Sequence, residues 1–109
     1  DSDDEVDLCT AINGSGPAYI FQIIEAMIDA ATLRGLDETD ARALVLQTVL
    51  GAAKYAQDSD SSIQDLRTAV TSPGGTTAAG LAILEGADVN ITFDSAIAAA
   101  YARAIELRA

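Results

Sequence analysis

Apolar residues in this chain recur at three- and four-residue spacing rather than in alternation. Between the breaker cluster Asn13-Gly14-Ser15-Gly16-Pro17 and Gly35, the positions Ile20, Ile23, Ile24, Met27, Ile28 and Ala31 line one face of a helix of about five turns. Ser15 is its expected cap, and Pro17 fits the first turn, where a missing N–H removes no bond. Gly35 ends it. Asp37, with Glu38 and Asp40 behind it, restarts the chain as an N-cap followed by acids that the helix dipole favours. The helix from there to about Ala56 carries Leu44, Val45, Leu46, Val49, Leu50, Ala52 and Ala53 around most of its circumference. Such a helix has to be covered on nearly every side. A chain this short has few helices of its own to do so, and the pattern therefore predicts cover from a partner chain.

The polar run Gln57 to Ser62 reads as a loop. After it come a short helix from Ile63 to about Val70, a loop from Thr71 to Thr76, a helix to about Glu85 and an Ala-rich helix from near Phe93 to Leu107. Val6 to Ile12 is the one stretch that reads as extended. The pattern as a whole predicts an all-α fold of about five helices in a single domain, with 1–12 as a lead-in segment and 13–109 as the helical core. No internal repeat or long low-complexity stretch appears.

Composition narrows the function classes. The 109 residues include 6 Lys plus Arg against 17 Asp plus Glu, a net charge of −11, and half are apolar. That is material for one core, not two. A pI near 4.1 argues against a surface that tracks nucleic acid or anionic lipid, since both need clustered cations. Any anionic ligand must be held by a local site. Simple solubility and a high-salt habitat both account for the acid excess. With one cysteine, Cys9, and no histidine, an internal disulfide, a Cys/His zinc site and a His-based triad are excluded, and no metal site is expected. The acidic start Asp1-Ser2-Asp3-Asp4-Glu5 is unlike a signal peptide, and no apolar run approaches the roughly 20 residues of a membrane span. These features point to the cytosol, and the glycosylation patterns at Asn13 and Asn90 then read as chance.

Two stretches carry candidate chemistry. Gly14-Ser15-Gly16 invites comparison with a dinucleotide fingerprint, but Tyr19 occupies the third glycine position and Pro17 lacks an N–H that a pyrophosphate would need. The second stretch runs Val70-Thr71-Ser72-Pro73-Gly74-Gly75-Thr76-Thr77-Ala78-Ala79-Gly80-Leu81. Four hydroxyls surround a Pro-Gly-Gly bend where a helix begins, so backbone N–H and side-chain O–H groups can converge on a small carboxylate. The same residues also suit an ordinary interhelical turn, with Thr76 or Thr77 as N-cap.

The run Leu66 to Thr77, continuing to Gly80-Leu81 and Leu84-Glu85, resembles the signature segment of the pyrroline-5-carboxylate reductases. Gly14-Ser15-Gly16-Pro17-Ala18-Tyr19 with Glu25-Ala26, then Gln47-Thr48 with Gly51-Ala52-Ala53-Lys54, then Arg103 with Glu106-Leu107 agree in order and spacing. The resemblance spans about Asp7 to Leu107. It implies the C-terminal half of an enzyme that reduces 1-pyrroline-5-carboxylate to L-proline, in proline biosynthesis, with hydride from NADPH or NADH. In that family the cofactor sits on an N-terminal Rossmann domain, which this chain lacks. The half present here would be an interlocked helical dimerisation domain of the 6-phosphogluconate dehydrogenase C-terminal type, acting as a homodimer, with assembly of dimers left open.

By position, the resemblance assigns the substrate carboxylate to Ser72, Gly75, Thr76 and Thr77. It makes Thr77 a candidate proton relay to the ring nitrogen, and it aligns Asp60 with an interhelical-loop acid. It assigns no cofactor-binding residue to this chain. Two departures stand out: Ser61-Ser62 replaces a usual His-Pro pair, and Gly86-Ala87-Asp88-Val89-Asn90 replaces Gly-Gly-Phe-Arg. Tyr19, Tyr55 and Tyr101 read as packing residues, Arg103 as half of an ion pair, and Glu25 and Lys54 as surface or interface charges. The alternative function is a free-standing helical dimer that binds proline or a similar amino acid, or only assembles, without catalysis.

Overall fold

A computed structural model of the chain describes residues 2–108. In chain order these form α1 (Ser2–Cys9), a π-helical segment (Thr10–Gly14), α2 (Gly16–Leu33), α3 (Glu38–Asp58), α4 (Ile63–Ala69), α5 (Thr76–Gly86) and α6 (Val89–Arg108). Among the described residues there is no strand, as the hydrophobic spacing predicts.

The expected extended lead-in is not there. Val6 to Ile12 lies in α1 and the π-helical segment, where the Thr10 hydroxyl donates to the Val6 carbonyl at 3.0 Å and Ser15 N–H reaches back to the Thr10 carbonyl at 3.1 Å. β-Branched residues disfavour a helix by only a few tenths of a kcal/mol each, and packing against α6 outweighs that. The last helix also starts earlier than its pattern suggests, at Val89. Asp88 turns the chain with φ of +56° and accepts the Thr92 N–H at 3.0 Å.

The chain divides into two compact units, a terminal one (Asp1–Tyr19 with Pro73–Ala109) and a central one (Ile20–Ser72). In the terminal unit, α6 packs against α1, the π-helical segment and α5. Ala11 is buried there. The guanidinium of Arg108 gathers carboxylates from α1: Nη2 donates to Asp4 Oδ1 at 2.7 Å, Nε lies 3.1 Å from Asp7 Oδ2, and Nη1 lies 3.6 Å from Asp3 Oδ2.

The central unit follows its local signals closely. Gly35, at φ +105°, closes α2 in a conformation that strains other residues, and Leu36 N–H bonds to the Ala31 carbonyl at 3.1 Å. Asp37 caps α3, accepting from Thr39 N–H at 3.1 Å and Asp40 N–H at 3.4 Å. Ala41 and Val45 are buried, but Leu44 and Leu50 on the same helix remain 59% and 66% exposed, and Phe21 on α2 is 68% exposed. Tyr55, expected in packing, is exposed on its own chain.

Candidate functional site

The loop ahead of α5 is built from both sides. At its start, Thr71 folds back on α4: its hydroxyl donates to the Arg67 carbonyl at 2.6 Å and its N–H to the Thr68 carbonyl at 3.0 Å. Pro73 fixes its own φ, and Gly74 adopts φ of +73°, a value that favours glycine. Gly75 is then the N-cap of α5, extended at ψ −177°, and its carbonyl accepts the Ala79 N–H at 3.2 Å.

This corrects the expectation that Thr76 or Thr77 would cap. A glycine cap brings no side-chain acceptor, so the first-turn N–H groups of Thr76, Thr77 and Ala78 point outward without a cap bond. The helix dipole adds partial positive charge at the same place. The two threonine hydroxyls differ from most others in the chain. Those of Thr10, Thr32, Thr48, Thr68, Thr71 and Thr92 each donate to a carbonyl three or four residues back. Among the described residues, the Thr76 and Thr77 hydroxyls make no bond within the chain, and both side chains are exposed.

The structure thus brings Gly75, Thr76 and Thr77 together within the terminal unit. Ser72 is the last residue of the central unit, and Asp60 also belongs to that unit, exposed in the loop between α3 and α4. In that loop Ser61 N–H bonds to Ser59 Oγ at 3.1 Å, and Ser62 Oγ caps α4 by accepting from Asp65 N–H at 3.1 Å. The departure Ser61-Ser62 therefore has a structural job: it supplies a helix cap.

The Arg108 cluster was not visible in the sequence. Its partners lie about a hundred positions away, and no local spacing signals them. The hydrogen bond to Asp4, with the charges of Asp7, Asp4 and Asp3, raises the Arg108 pKa above its ordinary value against the opposing pull of desolvation. Beside it, an open groove of about 420 Å³ is lined by Asp7, Thr10, Ser15, Arg103 and Leu107 among others. Arg103 is held by Glu106 at 2.8 Å and Lys54 by Asp58 at 3.2 Å, both as exposed pairs that contribute little.

Comparison with known proteins decides the family. Residues 3–107 match the pyrroline-5-carboxylate reductase dimerisation family. The chain belongs to that family. It is 46% identical over 102 residues to the pyrroline-5-carboxylate reductase of Methanosarcina acetivorans, an alignment that takes in 94% of this chain and 38% of that protein. The structure of the Coxiella burnetii pyrroline-5-carboxylate reductase superposes with a TM-score of 0.93 at 46% identity, over 95% of this chain and 38% of that one. The pyrroline carboxylate reductase of Plasmodium falciparum, solved with NADP bound, gives 0.90 at 40% identity, over 93% and 38%. The chain thus spans under two-fifths of the length of the reductases it matches. Among the described residues, no helix of this dimerisation domain is long and apolar enough to cross a membrane.

Proposed function

We propose that this chain is the dimerising and substrate-holding part of a cytosolic pyrroline-5-carboxylate reductase, which reduces 1-pyrroline-5-carboxylate to L-proline with a nicotinamide cofactor. The family match and the named relatives support the reaction. The observation that carries the substrate role is the start of α5, where a glycine cap leaves three N–H groups open and the two threonine hydroxyls beside them are uncommitted. A carboxylate there gains charge-assisted hydrogen bonds and the helix dipole together. Gly75 offers close backbone approach, Thr76 and Thr77 offer hydroxyls, and Thr77 or a water it holds delivers the proton to the ring nitrogen. By resemblance, Ser72 and Asp60 serve the same ligand.

The nicotinamide, when bound to the reductase, supplies the hydride. The Gly14–Pro17 stretch is not a dinucleotide fingerprint: Gly14 closes a π-helical segment rather than following a strand, and Pro17 sits in the first turn of α2. What this chain contributes is orientation of the imine. The partner in this reading is a second copy, which covers the apolar faces of α2 and α3. An interface of the obligate kind, above about 2,000 Å² in total, is expected.

Titrating the chain with proline, followed by NMR shifts at Gly74, Gly75 and Thr76, tests the site. Saturation in roughly the millimolar range is expected, because little apolar burial offsets the lost freedom of so small a ligand. Thr77→Val removes a hydrogen bond to a charged group, worth about 1.5–3 kcal/mol, and should weaken binding tenfold or more. Thr77 is not the cap, so the fold should be unaffected. No saturable shift in the wild-type chain would leave the loop as an ordinary turn.

A further inference from the structure

The loop ahead of α5 carries two glycines in succession, and the backbone explains only one of them. Gly74 stands at φ +73°, where a side chain is strained. Gly75 stands at φ −87° and ψ −177°, extended backbone that any residue adopts. Nothing in its conformation calls for glycine. The starts of α3 and α4 show what an ordinary residue does in that place: Asp37 accepts from Thr39 and Asp40 N–H, and Ser62 accepts from Asp65 N–H. A side-chain oxygen on an N-cap lands on the N–H groups two and three residues further on. For α5 those belong to Thr77 and Ala78, two of the three N–H groups open to the carboxylate in the reading above.

We infer that Gly75 serves the substrate site by lacking a side chain: an acceptor at position 75 would cap α5 from within and take the N–H groups that the carboxylate needs. This rests on the substrate reading above. Helix and ligand compete for the same donors. A capping side chain would give α5 a bond of its own, which glycine forgoes, while donors left to a carboxylate form charge-assisted bonds instead. Cap strength and ligand affinity therefore move in opposite directions as position 75 is varied. If glycine served only to leave room, or to keep the loop supple, any side chain would weaken binding alike, with or without an acceptor.

Gly75→Asn and Gly75→Ala separate these possibilities, because both add a Cβ and only asparagine brings an acceptor. Proline titrations of the 109-residue chain, followed by amide shifts of Gly74 and Thr76, should show the dissociation constant raised about tenfold or more by Gly75→Asn, the effect of losing a hydrogen bond to a charged group. Gly75→Ala should raise it by about threefold or less. Urea midpoints, read without proline at one fixed chain concentration, should rank the other way: Gly75→Asn at or above wild type, and Gly75→Ala below both, since alanine is the poorer cap. Gly75→Ser, with the smallest side chain that carries an acceptor, should fall on the asparagine side of alanine in both measurements. Equal losses of binding in the asparagine and alanine variants, or proline held by Gly75→Asn as tightly as by wild type, overturns the inference and leaves the site standing. A midpoint for Gly75→Asn below that of Gly75→Ala also overturns it, since the side chain would then not be capping. A wild-type chain with no saturable shift overturns the site reading and the inference together.

Discussion

In the terminal unit, α6 crosses α1, the π-helical segment and α5, and one guanidinium draws in three carboxylates. The helices of the central unit share far less packing. Ala41 and Val45 are buried there, while Leu44, Leu50 and Phe21 stay mostly uncovered. Charge can be satisfied inside one chain because a single long side chain reaches several partners. An apolar helix face needs a whole second surface. The uncovered apolar surface is not confined to one unit, however: Ile83, Ile91 and Leu107 of the terminal unit are 75%, 64% and 68% exposed.

The strongest way to break this contrast is Leu50→Asp. A charge at the centre of an apolar interface costs several kcal/mol, and in a dimer whose folding and association are coupled it should abolish both. Circular dichroism and sedimentation would show loss of helix together with loss of the dimer. A folded dimer of this variant would place the interface elsewhere.

Arg108→Met addresses the opposite unit. Removing this cation from beside Asp3, Asp4 and Asp7 should lower the melting temperature by less than Leu50→Asp does. The loss should shrink as NaCl is raised, because what remains is repulsion among carboxylates. A loss independent of salt would mean that the side chain acts by packing alone.

The smallest expected effect has the reverse sign. Asp88 stands at φ +56°, a conformation that glycine adopts without strain, so Asp88→Gly should stabilise the terminal unit by about 0.5–1 kcal/mol. A shift of the urea midpoint to higher concentration would show it, and a decrease would reveal a role for the Asp88 side chain.

The legible parts of the fold are those that local chemistry decides. Gly35 and Asp37 mark the end of α2 and the start of α3 because their roles involve only the next few residues. The stretch Val6 to Ile12 misled for the complementary reason: its conformation is fixed by α6, whose residues follow about ninety positions later, and no window along the chain contains both. The loop ahead of α5 was recognisable by resemblance, yet its cap was not. Threonine and glycine are about equally good caps, so preference does not choose between them, and the bend at Gly74 places Gly75 there. The Arg108 cluster could not be read at all, since three aspartates and a distant arginine form no pattern until the helices are laid side by side.

The threonines that bond back onto their own helices have one more consequence. A hydroxyl turned inward to a carbonyl leaves the methyl group as the outward-facing end of the side chain, so a neighbour meets something close to valine. Thr48 on α3, bonded to the Leu44 carbonyl at 2.8 Å, is such a residue amid exposed leucines. A reading of residue types counts it as a polar interruption of that surface, but a second helix laid over α3 would meet an unbroken hydrocarbon.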